Sequence, residues 1–155
     1  MRRTPPATST LLDRAAGICD GRGVRLTALR REVLGLVLDS PRPVGAYELL
    51  DRLRASRKRA APPTVYRALD FLLAEGLIHK VERLSAFIGC VHGGEAEWHA
   101  HPAQFLICRR CGRVEELEDA AVERALARAA RRTGFVVGRA TVEADGTCAV
   151  CAAHG

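Results

Sequence analysis

The sequence predicts an α+β chain in two parts: an N-terminal winged helix-turn-helix domain, then a small α/β domain held by clustered cysteines. Three observations predict it. Four successive stretches carry apolar residues at helical spacing, and two short strand-like runs around a turn follow them. Charge is uneven: residues 1–84 hold sixteen Lys/Arg against nine Asp/Glu, while residues 85–155 hold eight against nine. Cysteine is uneven in the opposite sense, since only Cys19 of the six lies before residue 85. The expected boundaries are a first domain over 1–84, a hinge over 85–94 and a second domain over 95–155. A basic half suits a polyanion, and a cysteine-rich half suits a metal.

Each element has its own local reason. Residues ~9–20 place Leu11, Leu12, Ala15, Ala16 and Cys19 at helical spacing, with Ser9 or Thr10 as the cap and "DGRG" as the stop. Thr27 caps a second helix with Leu29, Val33, Leu34 and Val37 inward, stopped by "SPRP". A third helix runs from about Gly45 to Ala55 on Leu49, Leu50 and Leu53. The fourth opens with "PPT", where Pro63 suits the first turn, and Gly76 suits its C-terminal cap. "LIHKVER" and "SAFIGC" are the wing strands, turning near Leu84–Ser85.

In the fourth helix, Val65, Leu69, Leu72 and Leu73 form one buried stripe. Thr64, Tyr66 and Arg67 lie off that stripe in the first turns, the end that enters a major groove in helix-turn-helix proteins. The helix N-terminus and the Thr64 hydroxyl suit a phosphate. Arg67 can donate two hydrogen bonds to a guanine edge, and Lys80 on the wing suits a backbone phosphate. Asp51 and Arg54, three apart on the third helix, read as a solvent-exposed pair.

"CRRC" (Cys108, Cys111) and "CAVC" (Cys148, Cys151) are two CxxC pairs with 36 residues between them. Two thiolates from each of two knuckles make a closed tetrahedral zinc site. A redox dithiol needs only one such pair, at a helix start after a strand; "FLICRRCGRVEEL" instead reads as strand, knuckle, strand. His79, Cys90, His92, His99, His101, His154, Glu115 and Glu116 remain as further donors, and a mixed His/Cys/carboxylate set favours zinc. The second half closes with an Ala-rich helix over ~119–132 and a strand through "FVVGRATVEADG", on which Phe135, Val137 and Val142 pair into a sheet. Such a unit has an open sheet edge and little core, both of which a two-fold homodimer cures.

Several classes are excluded or set aside. No apolar run reaches the ~18 residues of a membrane span, and Asp13 interrupts the only apolar stretch near the start, which excludes a secretory signal. A cytoplasmic setting is expected, where six cysteines point to metal rather than disulfides. A zinc hydrolase or deaminase is the rival of another class: a catalytic zinc needs an open, water-bearing position and a nearby Glu base. The deaminase signature of His-x-Glu with Pro-Cys-x-x-Cys is absent, and no enzyme is expected.

The segments "RLTALRREVL", "PPTVYRALDFLLAEGLIHKVE" and "FLICRRCG" with a final CxxC resemble the ferric-uptake-regulator (Fur) superfamily of bacterial metal-responsive repressors. Within it, "IHKVE", Cys90 and "HPAQFLICRRCG" are most similar to the zinc uptake regulator (Zur) branch. The resemblance covers about residues 10–151. It implies a zinc-responsive transcriptional repressor that binds operator DNA as a zinc-loaded homodimer and controls zinc uptake genes. A repressor sensing iron, manganese or nickel, or a non-regulatory zinc-binding module, are the alternatives; the soft donor Cys90 argues against the harder metals. It further implies two Zn2+ per chain. Cys108, Cys111, Cys148 and Cys151 match the structural ligands. His79, Cys90, His101 and Glu116 match the regulatory ligands, with His99 a rival to His101 and His154 a tail residue. Tyr47 and Arg67 match positions that face DNA bases. Where many relatives carry a dense His/Asp run before the CxxC strand, this chain reads "PAQF", so the extra site of iron-type relatives is not expected.

Overall fold

The structure, a computed structural model, describes residues 7–90 and 103–154. The chain divides into two compact units, Met1–His99 and Ala100–Gly155.

The first unit packs α1 (Thr8–Gly21), α2 (Ala28–Leu38), α3 (Ala46–Leu53) and α4 (Pro62–Ala74) beside a small antiparallel sheet. Its strands are β1 (Val44–Gly45), β2 (Ile78–Val81) and β3 (Ala86–Gly89), in the order β1-β3-β2. All four predicted helices and the wing are present. Thr27 caps α2, its side chain accepting from the Arg30 N–H at 3.3 Å. The cap expected at Ser9 or Thr10 is not used: α1 begins at Thr8 with Ala7 at the cap position. The Thr8 hydroxyl is bonded to Asp39, which holds the helix start earlier than the sequence suggests. Leu34, Leu49, Leu53, Leu69, Leu72 and Leu77 are each no more than 1% exposed and form the centre of the core. Cys19 is fully buried there, and burial pushes its thiol up from the ordinary value, so it is a packing residue.

Two local features fix the end of α4 and the entry to the wing. Gly76 stands at φ +69°, a left-handed conformation that a side chain would strain. It allows the Leu77 N–H to reach Leu72 O at 2.9 Å and the Gly76 N–H to reach Leu73 O at 3.0 Å, a paired C-terminal cap that drives Leu77 into the core. Ile78 then pairs with Gly89 and Val81 with Ala86 across the wing, with Ser85 in the turn at φ 47°. Residues 86–89 are the second wing strand expected in "SAFIGC". Strand β3 is held on both sides, by β2 and by Val44–Gly45, which the sequence hides as a two-residue strand before α3.

The second unit is a sheet of order β5-β4-β6 with two helices. Strand β4 (Ala103–Cys108) pairs antiparallel with β5 (Val114–Glu116) and parallel with β6 (Thr141–Gly146). Helix α5 (Ala120–Arg131) is capped by the Asp119 carboxylate, which accepts from the Ala121 N–H at 2.7 Å. Helix α6 (Ala149–Ala153) follows β6. The strand expected through Phe135 and Val137 is shorter than predicted: it starts at Thr141, opposite Ala103, with Val142 opposite Gln104. Register explains this, because the partners run to Cys108 opposite Gly146, which brings the two cysteine pairs together. Residues 135–140 then precede the start of β4 among the described residues. Phe135 and Val136 are 63% and 87% exposed, and α5 buries none of its residues.

Candidate metal centres and nucleic-acid interface

The first centre lies wholly in the second unit. Cys108 ends β4, and Cys111 sits three residues on in a knuckle closed by Gly112 N–H to Cys108 O at 3.0 Å and Cys108 N–H to Arg113 O at 2.8 Å. Gly112 takes φ +71°, which the knuckle requires. Cys148 caps α6 and Cys151 lies within it. The Arg110 guanidinium donates to Cys151 O at 2.6 Å and links the two knuckles.

The four sulfur atoms lie within 4.8 Å of one another. Zinc–thiolate bonds near 2.3 Å in a tetrahedron require edges of about 3.8 Å, and Cys111 Sγ and Cys148 Sγ stand 3.8 Å apart. The donor set therefore fits a closed zinc site. Cys148 does follow a strand at a helix start, the place a redox dithiol takes, but two further sulfurs share the site. The Cys148 N–H, 3.4 Å from Cys108 Sγ, and the Cys111 N–H pull the Cys108 thiol down to about 6. Hydrogen bonds to Cys148 and Cys111 push Cys151 up to about 12. One negative sulfur thus suppresses ionisation of the next, and a cation is needed to hold all four as thiolates.

Of the second donor set, His79 lies on β2 opposite Ile88, and Cys90 directly follows β3 with its N–H on Leu77 O at 3.1 Å. Their ligand atoms lie within 4.8 Å of one another. Cys90 is 2% exposed and His79 half-buried. Glu116 ends β5 in the second unit, half-buried and opposite Phe105. Glu115 is exposed. His92, His99 and His101 lie outside the described residues. His154 is exposed at the end of α6 and joins no metal-ligating group among the described residues.

The nucleic-acid candidates are all in the first unit. Val65, Ala68, Leu69 and Leu72 bury one face of α4, and this turns Tyr66 and Arg67 outward. Leu73, expected in that stripe, is only half-buried, and Ala68 takes its place. Thr64 is half-buried in the first turn. Tyr47 in the first turn of α3 and Tyr66 on α4 are 66% and 44% exposed, unusual for residues of their size. One expectation fails. The start of α4 is not an anion site of free N–H groups, because Pro62 and Pro63 both lie in its first turn and have none. The Thr64 N–H is already bonded to Ala61 O at 2.9 Å. Lys80 is also engaged, 2.9 Å from Glu82. Asp51 and Arg54 form the expected exposed pair at 3.7 Å.

Comparison with known proteins bears on these geometries. The family model described as the ferric uptake regulator family matches residues 21–144. The chain is 42% identical over 144 residues to the zinc uptake regulation protein of Escherichia coli (strain K12), covering 93% of this chain and 82% of that protein. It is 35% identical over 134 residues to the zinc uptake regulation protein of Mycobacterium tuberculosis (strain CDC 1551 / Oshkosh), covering 83% and 95%. Among solved structures, one described as a zinc uptake regulator complexed with zinc and DNA superimposes with a TM-score of 0.89 at 41% identity, covering 96% of this chain and 97% of that one. With its two-pair cysteine cluster, its winged helix and a family match over most of its length, the chain belongs to the ferric uptake regulator family.

Proposed function

We propose that the protein is a zinc-responsive transcriptional repressor that binds operator DNA as a zinc-loaded homodimer and controls zinc uptake genes. The observation that carries this reading is the likeness, over nearly its whole length, to a regulator solved with zinc and DNA. The four-sulfur cluster supports a structural zinc held by Cys108, Cys111, Cys148 and Cys151. The protein acts by binding rather than by catalysis, in the cytoplasm. Among the described residues no helix is long and apolar enough to cross a membrane.

A second, regulatory zinc is assigned to His79, Cys90, His101 and Glu116. The closeness of His79 and Cys90 within the first unit supports this. These ligands are drawn from both units. All four can be satisfied only in arrangements that bring the units together, so occupancy selects those arrangements from the ensemble. Moving a two-state equilibrium from 1:99 to 99:1 takes about 5.5 kcal/mol. Apparent zinc affinities near ~10–16 kcal/mol are known for structural sites, so a weaker site suffices. Tyr47, Thr64, Tyr66 and Arg67 form the DNA-reading face. The uncovered side chains of Leu126, Phe135 and Val136 support a dimer formed through the second unit.

Metal analysis of the purified protein tests the two-site reading. The replete protein should carry two zinc ions per chain, and mild chelation should leave one together with loss of operator binding. A single zinc under all conditions, with DNA binding intact, would refute it.

A further inference from the structure

We infer that Lys58 and Arg59, in the turn between α3 and α4, bind the backbone phosphates of duplex DNA. This rests on the DNA-binding reading above. The end of α3 and the turn after it hold five cations: Arg52, Arg54, Arg57, Lys58 and Arg59. Three are already committed within the protein. Arg52 pairs with Glu48 and donates to Ser40 Oγ at 2.8 Å. Arg54 reaches Asp51 and donates to Ala60 O at 3.1 Å. Arg57 Nε donates to Glu32 Oε2 at 2.6 Å. Lys58 and Arg59 are exposed and have no hydrogen-bond or ion-pair partner among the described residues.

The turn that carries them is held on both sides. The Arg57 N–H bonds Leu53 O at 2.8 Å, and the Ala60 N–H bonds Arg57 O at 2.9 Å. From below, the Glu32 carboxylate accepts from the Ser56 hydroxyl as well as from Arg57. Two uncommitted cations therefore sit on a fixed turn, four and three residues before the first residue of α4. A helix start with Pro62 and Pro63 offers no backbone donors to a phosphate, so side chains have to supply them. The guanidinium of Arg59 offers a fork of donors and Lys58 a point charge. Residues 56–61, "SRKRAA", contain no aromatic or large apolar side chain, so this turn offers no apolar anchor to a protein partner. It also has no aromatic ring to stack on a base. The interaction is one of charge, blind to sequence.

The test is the salt dependence of binding by the full-length, zinc-loaded protein to its own upstream duplex and to a random duplex. The double variant Lys58→Gln/Arg59→Gln should lose the same fold-affinity on both duplexes. Its slope of log K against log[salt] should be shallower by roughly four for the dimer, near 0.9 for each of the two phosphates that each of its two chains no longer neutralises. The swap Lys58→Arg/Arg59→Lys should keep the wild-type slope. An unchanged slope in the double variant, a loss confined to the upstream duplex, or a swap as damaging as the removal each overturns the inference. A wild-type protein that binds no duplex in zinc overturns the functional reading itself, and is told apart by needing no variant.

Discussion

Cys108 and Cys90 are 4% and 2% exposed, and neither takes part in a disulfide, yet they answer to different demands. Cys108 belongs to a cluster that joins the strand end at β4 to the start of α6, so its loss removes the tie between two distant parts of the second unit. Cys108→Ser or Cys148→Ser should therefore unfold or monomerise the protein, measured by sedimentation and by loss of one zinc per chain. Cys90→Ser should leave a folded dimer whose DNA binding no longer responds to zinc. If that variant keeps the wild-type zinc dependence, the regulatory assignment is wrong. The cysteine cluster was legible in the sequence because two CxxC spacings admit few other readings. His101 and His99, both candidates by type, fall outside the described residues, and the choice between them still rests on resemblance.

At the scale of the element, α4 was the most legible part of the chain. Its apolar stripe, prolines and closing glycine all act locally, and each fixes what the helix does. Two details were missed: Ala68 rather than Leu73 completes the buried stripe, and Pro62 with Pro63 removes the backbone donors that an anion would need. Arg67 stands outward on this helix with no ion pair among the described residues. Arg67→Ala should cost on the order of 1–3 kcal/mol on the operator and narrow the gap to random DNA, as removal of a bidentate hydrogen bond to a base does. Anisotropy titrations on both duplexes would check it; equal losses would move base reading to Tyr47 or Tyr66. The commitments of neighbouring arginines were not legible, because Glu32 is about twenty-five residues from its partners. Hydrogen bonds from Ser56 and then Arg57 hold the Glu32 carboxyl below its ordinary value of 4.5. Because the folded value is the lower one, the stabilisation is present above 4.5 and is lost as pH falls through the folded value. Glu32→Gln should flatten that acid limb in denaturant titrations run from pH 6 down to pH 3, and an unaltered limb would assign the acid sensitivity to other carboxylates.

For the whole molecule, the split into a basic helical part and a cysteine-rich part was readable from charge and cysteine placement alone. The extent of β6 was not. Phe135 and Val137 look like strand residues by composition, but pairing register is a tertiary property, set here by where Cys108 meets the second knuckle. The apolar side chains left exposed around α5 are likewise unexplained by one chain, and the proposed dimer would cover them. The central claim joins these parts: metal occupancy in one constellation governs DNA affinity in another. It is tested most directly by the affinity of the full-length protein for its own upstream duplex across a series of buffered free-zinc concentrations. The account predicts weak binding at the lowest zinc and a steep rise to tight, sequence-selective binding as zinc increases. Affinity that is flat across the series, or that rises with iron or manganese but not with zinc, would contradict it.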